Sequence, residues 1–158
     1  MKYKLLIGLV LIAVLLVLLL CIRVFLKKEV TISDLQYMRF HYTRGYAMNA
    51  DVSYEINCEN GKCIAIYKPY GVANDDAMTK SVDSKFLKEI ETIFKKYEVS
   101  KWNGFNGNNK YVLDGDSFSL YVIMNNDSRI EASGYMKWPK NYGDVRNELD
   151  FIFEKLFK

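Results

Sequence analysis

The apolar run Leu5–Leu26 constrains this chain more than any other feature of its sequence. From Leu5 to Ile22 it contains 18 residues with no charged and no strongly polar side chain. As a helix, this stretch would be about 27 Å long at about 1.5 Å per residue, close to the roughly 30 Å of a bilayer's hydrocarbon core. Arg23 can place its guanidinium among the headgroups. The run therefore predicts a single membrane-spanning helix, with residues 1–28 as the anchor.

Two alternatives fit the run less well. A cleaved secretory signal has an apolar region of about 7–15 residues and a small-x-small cleavage site, whereas this run is longer and its last part reads LLLC. A lipoprotein signal places a small residue before the lipidated cysteine, whereas Leu20 precedes Cys21. We therefore expect an uncleaved anchor with a short cytoplasmic amino terminus, followed by a stalk at residues 29–34.

The distribution of charge argues against one class of partner. All 19 acidic residues follow position 28, whereas 5 of the 22 basic residues lie within positions 1–28. The rest of the chain therefore has 17 basic and 19 acidic residues, a net charge of −2. Nucleic-acid-binding domains present a basic face, so we expect no nucleic-acid partner. The positive charges flanking the run are nearly balanced, so the positive-inside rule leaves its orientation open.

The compartment is predicted instead from a hairpin. Residues 51–58 alternate apolar and polar side chains, the Asn-Gly pair at 60–61 favours a two-residue turn, and residues 63–67 return. This register places Cys58 opposite Cys63, with Cα atoms about 4.5 Å apart, and predicts a disulfide. Two buried free thiols, or half of a shared metal site, are the alternatives. Because disulfides persist in oxidising compartments, we expect the domain on the extracytoplasmic side of the cell membrane.

The remaining patterns predict a two-layer α+β domain over residues 35–158. Asp83 is a good N-cap for an amphipathic helix, and a second helix is expected over 142–157. Residues 69–82 read as a connection. Strands joined by short turns form an antiparallel sheet, so we expect about five strands, in the order βββ-α-ββ-α, with both helices on one face. The strands are predicted at 35–46, 51–58, 63–67, 117–125 and 129–134, with a further short strand at Tyr111-Val112-Leu113.

No catalytic motif is complete in this sequence. There is no G-x-S-x-G nucleophile motif, P-loop, H-E-x-x-H zinc motif or dinucleotide fingerprint. The single histidine, His41, has no cysteine, aspartate or second histidine at a ligand-like spacing. The segment 114–117 (DGDS) lacks the rest of a calcium-binding loop. We therefore predict no catalytic residue, no metal site and no cofactor.

Two aromatic loops form the candidate ligand-binding site. Aromatic faces supply stacking and asparagine amides supply directed hydrogen bonds, which a sugar or peptide ligand needs. Each loop adjoins a helix, so both can meet at one end of the sheet, with a groove between loops 101–109 and 135–142. The alternative is that the tryptophans pack between helix and sheet, and this is favoured for Trp102. The candidate residues are Trp102, Asn103 and Phe105 in the first loop, and Tyr135, Trp138 and Tyr142 in the second.

Three motifs suggest a relationship: WNGF at 102–105, LDGDSFSL at 113–120 and SGYMKWPKNY at 133–142. Together they make residues 35–157 resemble a family of uncharacterised extracytoplasmic domains of Gram-positive bacteria, which are lipoproteins or membrane-anchored proteins. The resemblance implies a location outside the membrane and no particular activity. Leu20, where lipoprotein members have a small residue, departs from that pattern.

These patterns predict a non-enzymatic, membrane-tethered extracytoplasmic binding or interaction module, held in the bilayer through Leu5–Leu26. The expected partner is a cell-envelope protein, a peptide or a glycan. One alternative is a cell-wall-associated enzyme of unknown class, which would need two carboxylates, or His41 with a carboxylate, in a cleft. The other is a structural subunit of a membrane complex that uses the anchor helix as an interface.

Overall fold

The computed structural model describes residues 30–45 and 50–158. The predicted anchor, its cytoplasmic flank and the first residue of the predicted stalk lie outside these residues. Neither helix of the described part is both long and apolar enough to span a membrane. The described residues form an α+β domain, in which one seven-stranded sheet packs against two helices.

The elements follow the chain in the order ββββ-α-βββ-α. Across the sheet the strands lie in the order β4-β3-β2-β1-β6-β7-β5. All neighbouring strands are antiparallel except β5, which runs parallel to β7. The strands are β1 Leu35–Thr43, β2 Asp51–Glu59, β3 Lys62–Lys68, β4 Met78–Val82, β5 Phe105–Asn108, β6 Ser117–Met124 and β7 Arg129–Tyr135, and the helices are α1 Ser84–Lys96 and α2 Tyr142–Phe157.

Alternation along the strands produces one buried face of the sheet. The side chain of Asp83 caps α1 by accepting a hydrogen bond from the backbone N–H of Phe86 at 3.0 Å, as predicted. Both helices bury their apolar stripes against this face, and no described element covers the opposite face. The buried set includes Met38, Phe40 and Tyr42 of β1, Val52, Tyr54 and Ile56 of β2, Ile90, Ile93 and Phe94 of α1, and Val145, Leu149, Ile152 and Phe153 of α2.

The predicted hairpin register and the disulfide are confirmed. Cys58 pairs with Cys63 across β2 and β3, and a disulfide joins them with their Cα atoms 4.1 Å apart. Asn60 and Gly61 have φ values of 51° and 74°, as a type I′ turn requires at both central positions. The two thiols are therefore neither free nor part of a metal site.

The sheet departs from prediction in strand number and direction. It has seven strands rather than about five, and it is mixed rather than antiparallel. The first missed strand, β4, lies within the predicted connection 69–82. It is an edge strand with no buried side chain, so it shows no apolar alternation in its sequence.

The second missed strand, β5, reads FNGN, and Asn and Gly are typical of turns. Here Gly107 is needed, because a Cβ atom would lie 2.7 Å from the Phe105 ring and 2.8 Å from the carbonyl oxygen of Lys137. The predicted short strand at Tyr111-Val112-Leu113 is wrong. Those residues lie in the connection between β5 and β6, where Tyr111 is 98% exposed and Leu113 is 87% exposed.

The two ends of the sheet have different surroundings. The chain joins the domain through residues 30–34, at the end of the sheet where β1 begins. The other end, which we call the distal end, contains the end of β1, the start of β6 at Ser117, the end of β7 at Tyr135 and the start of α2. The nine residues of β1 separate the two ends by about 30 Å at about 3.3 Å per residue.

Candidate functional site

The two predicted aromatic loops meet in one aromatic cluster. Its centre is Phe118 of β6, and four of the six candidate residues have ring centroids 4.8–6.3 Å from the Phe118 centroid. Phe118 contacts both loops, so packed rings rather than a groove occupy the space between them. The four candidate residues in the cluster are Trp102, Phe105, Trp138 and Tyr142.

The first loop is bound tightly to its surroundings. Trp102 lies in a short 3-10 helix and is 3% exposed, and its Nε1–H donates to the carbonyl oxygen of Lys140 at 3.0 Å. The side chain of Asn103 accepts a hydrogen bond from the backbone N–H of Glu131 at 3.1 Å, which fastens the loop to β7. Trp102 therefore packs between helix and sheet, as the favoured interpretation of its position predicts.

The second loop borders a cleft of about 440 Å³, which we call the distal cleft. Trp138 is half-buried and stacks on Tyr142, with ring centroids 4.6 Å apart and planes at 14°. The cleft lies where α2 begins and β1 ends, and its volume falls within the range of about 300–1,000 Å³ for ligand sites. Its charged lining residues are Asp116, Asp144 and Arg146.

Close backbone packing fixes the position of the second loop. A Cβ atom added to Gly134 would overlap the carbonyl oxygen of Lys137 and lie 2.5 Å from the Phe118 ring, so only glycine fits there. Met136 has a φ of 48°, and its N–H donates to the carbonyl oxygen of Asp116 at 3.0 Å. The sulfur of Met136 in turn accepts the N–H of Asp116 at 3.1 Å. These contacts bring Asp116 to the same cleft as the second loop.

Arg146 is the cation of the distal cleft. Its guanidinium carbon lies 5.6 Å from the centroid of the Tyr42 ring, and its Nε is buried without a hydrogen-bond partner. A buried donor without an acceptor costs about 1–3 kcal/mol. Among the ion pairs of the described residues, none involves Arg146, Asp116 or Asp144. The cleft thus presents charges of both signs that are not paired within the domain.

Behind the cleft, Asp150 ties α2 to the sheet. The hydroxyl of Tyr42 donates to Asp150 Oδ1 at 3.1 Å, and the hydroxyl of Tyr54 donates to the same oxygen. Burial raises the pKa of both phenols, and the Asp150 carboxylate raises the pKa of each further. Burial also raises the pKa of Tyr142. The phenols near the cleft therefore stay neutral at ordinary pH, and the charge of the cleft comes from its carboxylates and guanidinium.

The other predicted site residues do not line the distal cleft. The hydroxyl of Tyr135 donates to the carbonyl oxygen of Leu113 at 2.7 Å, which holds the connection between β5 and β6. Asn103 and Phe105 line a separate, smaller cleft of about 330 Å³ along β5 and β7. Of the six candidate residues, the structure therefore places Trp138 and Tyr142 in the distal cleft. Sequence reasoning missed Arg146 and Asp116, because neither belongs to an aromatic loop.

The structure brings His41 beside an aspartate, although no aspartate lies at a ligand-like spacing in the sequence. His41 Nε2 lies 3.3 Å from Asp51 Oδ2, and Asp51 Oδ1 lies 2.5 Å from Nζ of the buried Lys68. Pairing of β1 with β2 and β3 brings the three residues together on the uncovered face, so the register of the first hairpin was the available signal. The hydrogen bond from Lys68 lowers the pKa of Asp51, which marks this carboxylate as the partner of a buried cation.

Comparison with known proteins gives no relative from which the role of the site could be inferred. No family model matches the chain, and no curated protein shows significant similarity to it. Within residues 30–45 and 50–158, no three histidine, cysteine or acidic side chains are grouped as a metal ion would require. The arrangement of the distal cleft instead offers stacking, hydrogen bonding and charge to a ligand.

Proposed function

We propose that this protein is a non-enzymatic binding module and that the distal cleft is its ligand-binding site. One observation carries the proposal: Asp116, Asp144 and Arg146 border the same cleft, yet none of them forms an ion pair within the described domain. Of these groups, the Nε of Arg146 is also buried without a hydrogen-bond partner among the described residues, and such orphaned donors are rare in folded proteins. A ligand that engages the guanidinium would offset part of that cost, and the two carboxylates remain available to the same ligand.

The module is tethered to the membrane on its extracytoplasmic side. The apolar run Leu5–Leu26 and the Cys58–Cys63 disulfide support this part of the proposal. Since the chain joins the domain at the end opposite the distal cleft, the cleft would be held away from the bilayer. In a Cys21→Ser background, a membrane-impermeant maleimide should label intact cells only after reduction. Labelling that requires lysis would place the domain in the cytoplasm.

Ligand-induced stabilisation of the full chain tests the binding function. Thermal unfolding is followed in a detergent without a sugar headgroup, against a library of peptides, nucleosides and oligosaccharides. A ligand at a hundred times its Kd stabilises the folded state by about 2.7 kcal/mol. We expect compounds that raise the Tm of the parent but not of Arg146→Gln or Asp116→Asn.

Arg129→Gln is the matched control, because Arg129 is an exposed arginine at the opposite end of the sheet. It should respond to the same compounds as the parent. If every stabilising compound acts equally on all variants, the distal cleft is not the binding site and the proposal fails.

A hydrolytic enzyme is the second candidate, and the His41–Asp51 contact is the observation in its favour. Asp51 also binds the buried Lys68, and His41 does not line the distal cleft. We therefore prefer the interpretation of this group as an ion-pair cluster that stabilises the sheet. Hydrolysis of envelope polymers by the parent but not by His41→Ala would reverse that preference.

A further inference from the structure

We infer that the ligand of the distal cleft is a neutral, hydroxyl-rich glycan, an inference that rests on the proposed binding function. The inference combines three features of the cleft: a fixed aromatic ring, charged groups of both signs, and a side-chain amide with an acceptor oxygen to spare. None of these features alone selects a glycan, but a sugar ring matches all three.

Trp138 supplies a flat apolar surface that is already fixed in position. One face of its indole stacks on Tyr142, and Phe118 contacts it with ring centroids 5.7 Å apart. Trp138 is half-buried and is one of the residues that line the cleft. A ring held in this way loses little conformational freedom when a ligand stacks on it. The apolar face of a sugar ring is a suitable partner for such a surface, since its C–H groups point toward the aromatic quadrupole.

The charges of the cleft disfavour a simple ion. Asp116 and Asp144 would repel an anion such as phosphate, and one guanidinium does not offset two carboxylates. A metal cation would be attracted by the two carboxylates, but the described residues contain no group of three acidic, histidine or cysteine side chains that could hold it. A hydroxyl group, by contrast, donates to a carboxylate and accepts from a guanidinium. A ligand with many hydroxyl groups therefore satisfies both kinds of side chain without a net charge of its own.

The cleft is also lined by a neutral polar residue, Asn141, whose side-chain oxygen can accept a hydrogen bond. Asn141 uses its side-chain N–H to donate to the carbonyl oxygen of Tyr97 at 3.2 Å, and this bond leaves its Oδ1 as an acceptor. Asn141 has a left-handed backbone conformation, with φ 63° and ψ 13°, directly before α2. The Asn141 amide is therefore fixed at the amino-terminal end of α2, directly before Tyr142.

A short peptide with both ends free, such as trialanine, is the closest competitor for this site. Its ammonium and carboxylate groups would match the charges of the cleft, but it brings no flat apolar face to the indole of Trp138. Both free ends would also have to surrender their hydration to reach groups that remain partly exposed to water. The fixed aromatic surface therefore favours the sugar ring over the peptide terminus.

Fluorescence of Trp138 in the full chain tests this inference. The chain has two tryptophans, so Trp102→Phe leaves Trp138 as the only indole. The probes are tetrasaccharides of β-1,4-glucose, α-1,4-glucose and β-1,4-N-acetylglucosamine, with trialanine and inorganic phosphate as the competing chemistries. We expect at least one tetrasaccharide to shift or quench the emission saturably. Adding Asp116→Asn or Arg146→Gln should weaken that affinity by about tenfold or more, and adding Arg129→Gln should not.

Each outcome decides between the glycan and its competitors. If trialanine or phosphate alone changes the emission, the glycan inference is overturned while the binding function stands. If no probe changes the emission, the glycan inference also fails. The thermal-unfolding measurements with the compound library test the binding function separately. If Trp102→Phe does not fold, calorimetric titration of the parent chain with the same probes gives the same decision.

Discussion

The two tryptophans show how similar loops acquire different roles. Trp102 and Trp138 both lie in aromatic loops next to helices, and both contact Phe118. Trp102 is 3% exposed and its indole N–H is bonded to the carbonyl oxygen of Lys140, whereas Trp138 is half-buried and borders the distal cleft. The first ring is part of the core, and the second packs against the core beside the distal cleft.

The difference follows from what lies beneath each ring. The first loop follows α1 and is hydrogen-bonded to Glu131 of β7, and its indole is buried against Phe118. The second loop is held by the packing of Lys137 against Gly134 and Gly107, and its indole stacks on Tyr142. Neighbouring backbone, rather than residue type, therefore decides which tryptophan is structural.

The largest expected effect tests this comparison directly. Trp102→Ala should lower the free energy of unfolding by about 3–5 kcal/mol, because it leaves a cavity and an unpaired carbonyl. Trp138→Ala should lower it by about 1–2 kcal/mol, since the ring is half-exposed already. Urea unfolding of the two variants beside the parent measures both values. Equal losses would mean that both rings belong to the core and that Trp138 is not set apart for binding.

A smaller effect is expected where the second loop is held. Gly134→Ala should cost about 2–3 kcal/mol, because its Cβ would overlap the Lys137 carbonyl and the Phe118 ring. Gly143→Ala is the matched control: nothing lies within 4 Å of a Cβ at that helical position. It should be neutral or stabilising by up to about 1 kcal/mol. Similar losses for both variants in urea unfolding would show that close packing does not fix this loop.

The smallest effect concerns pH and the ring beneath Trp138. Burial raises the pKa of Tyr142 above its unfolded value near 10. Its contribution is therefore complete below about pH 10, and is lost as pH rises further because the unfolded state releases the proton first. The loss is about 1.4 kcal/mol per pH unit for one group.

Tyr142→Phe should flatten this alkaline decline while changing stability little at neutral pH, as measured by urea unfolding between about pH 9 and 11. Tyr111→Phe is the control, since Tyr111 is 98% exposed and its replacement should keep the parent slope. An unchanged slope for Tyr142→Phe would show that the ring beneath Trp138 is not effectively buried.

Local patterns determined much of the fold. Alternation defined β1, β2, β3, β6 and β7, the Asn-Gly turn fixed the register that pairs Cys58 with Cys63, and apolar periodicity placed both helices. These features depend on residues close together in the chain, so the sequence shows them directly. The six aromatic and amide candidate residues gave a weaker signal: four of them meet in one aromatic cluster, but their pattern did not include Asp116 or Arg146.

Tertiary structure alone decided the rest. Strands β4 and β5 are defined by the hydrogen bonds that neighbouring strands offer them: β4 has no buried side chain, and β5 is only four residues long and consists mostly of Asn and Gly. Arg146 lines the same cleft as Asp116 and Trp138 only because α2 begins at the end of the sheet where β6 begins and β7 ends. His41 meets Asp51 and Lys68 only through the register of three strands. Contacts between residues far apart in the chain depend on how the elements pack. The periodicity of side chains along one element does not predict these contacts.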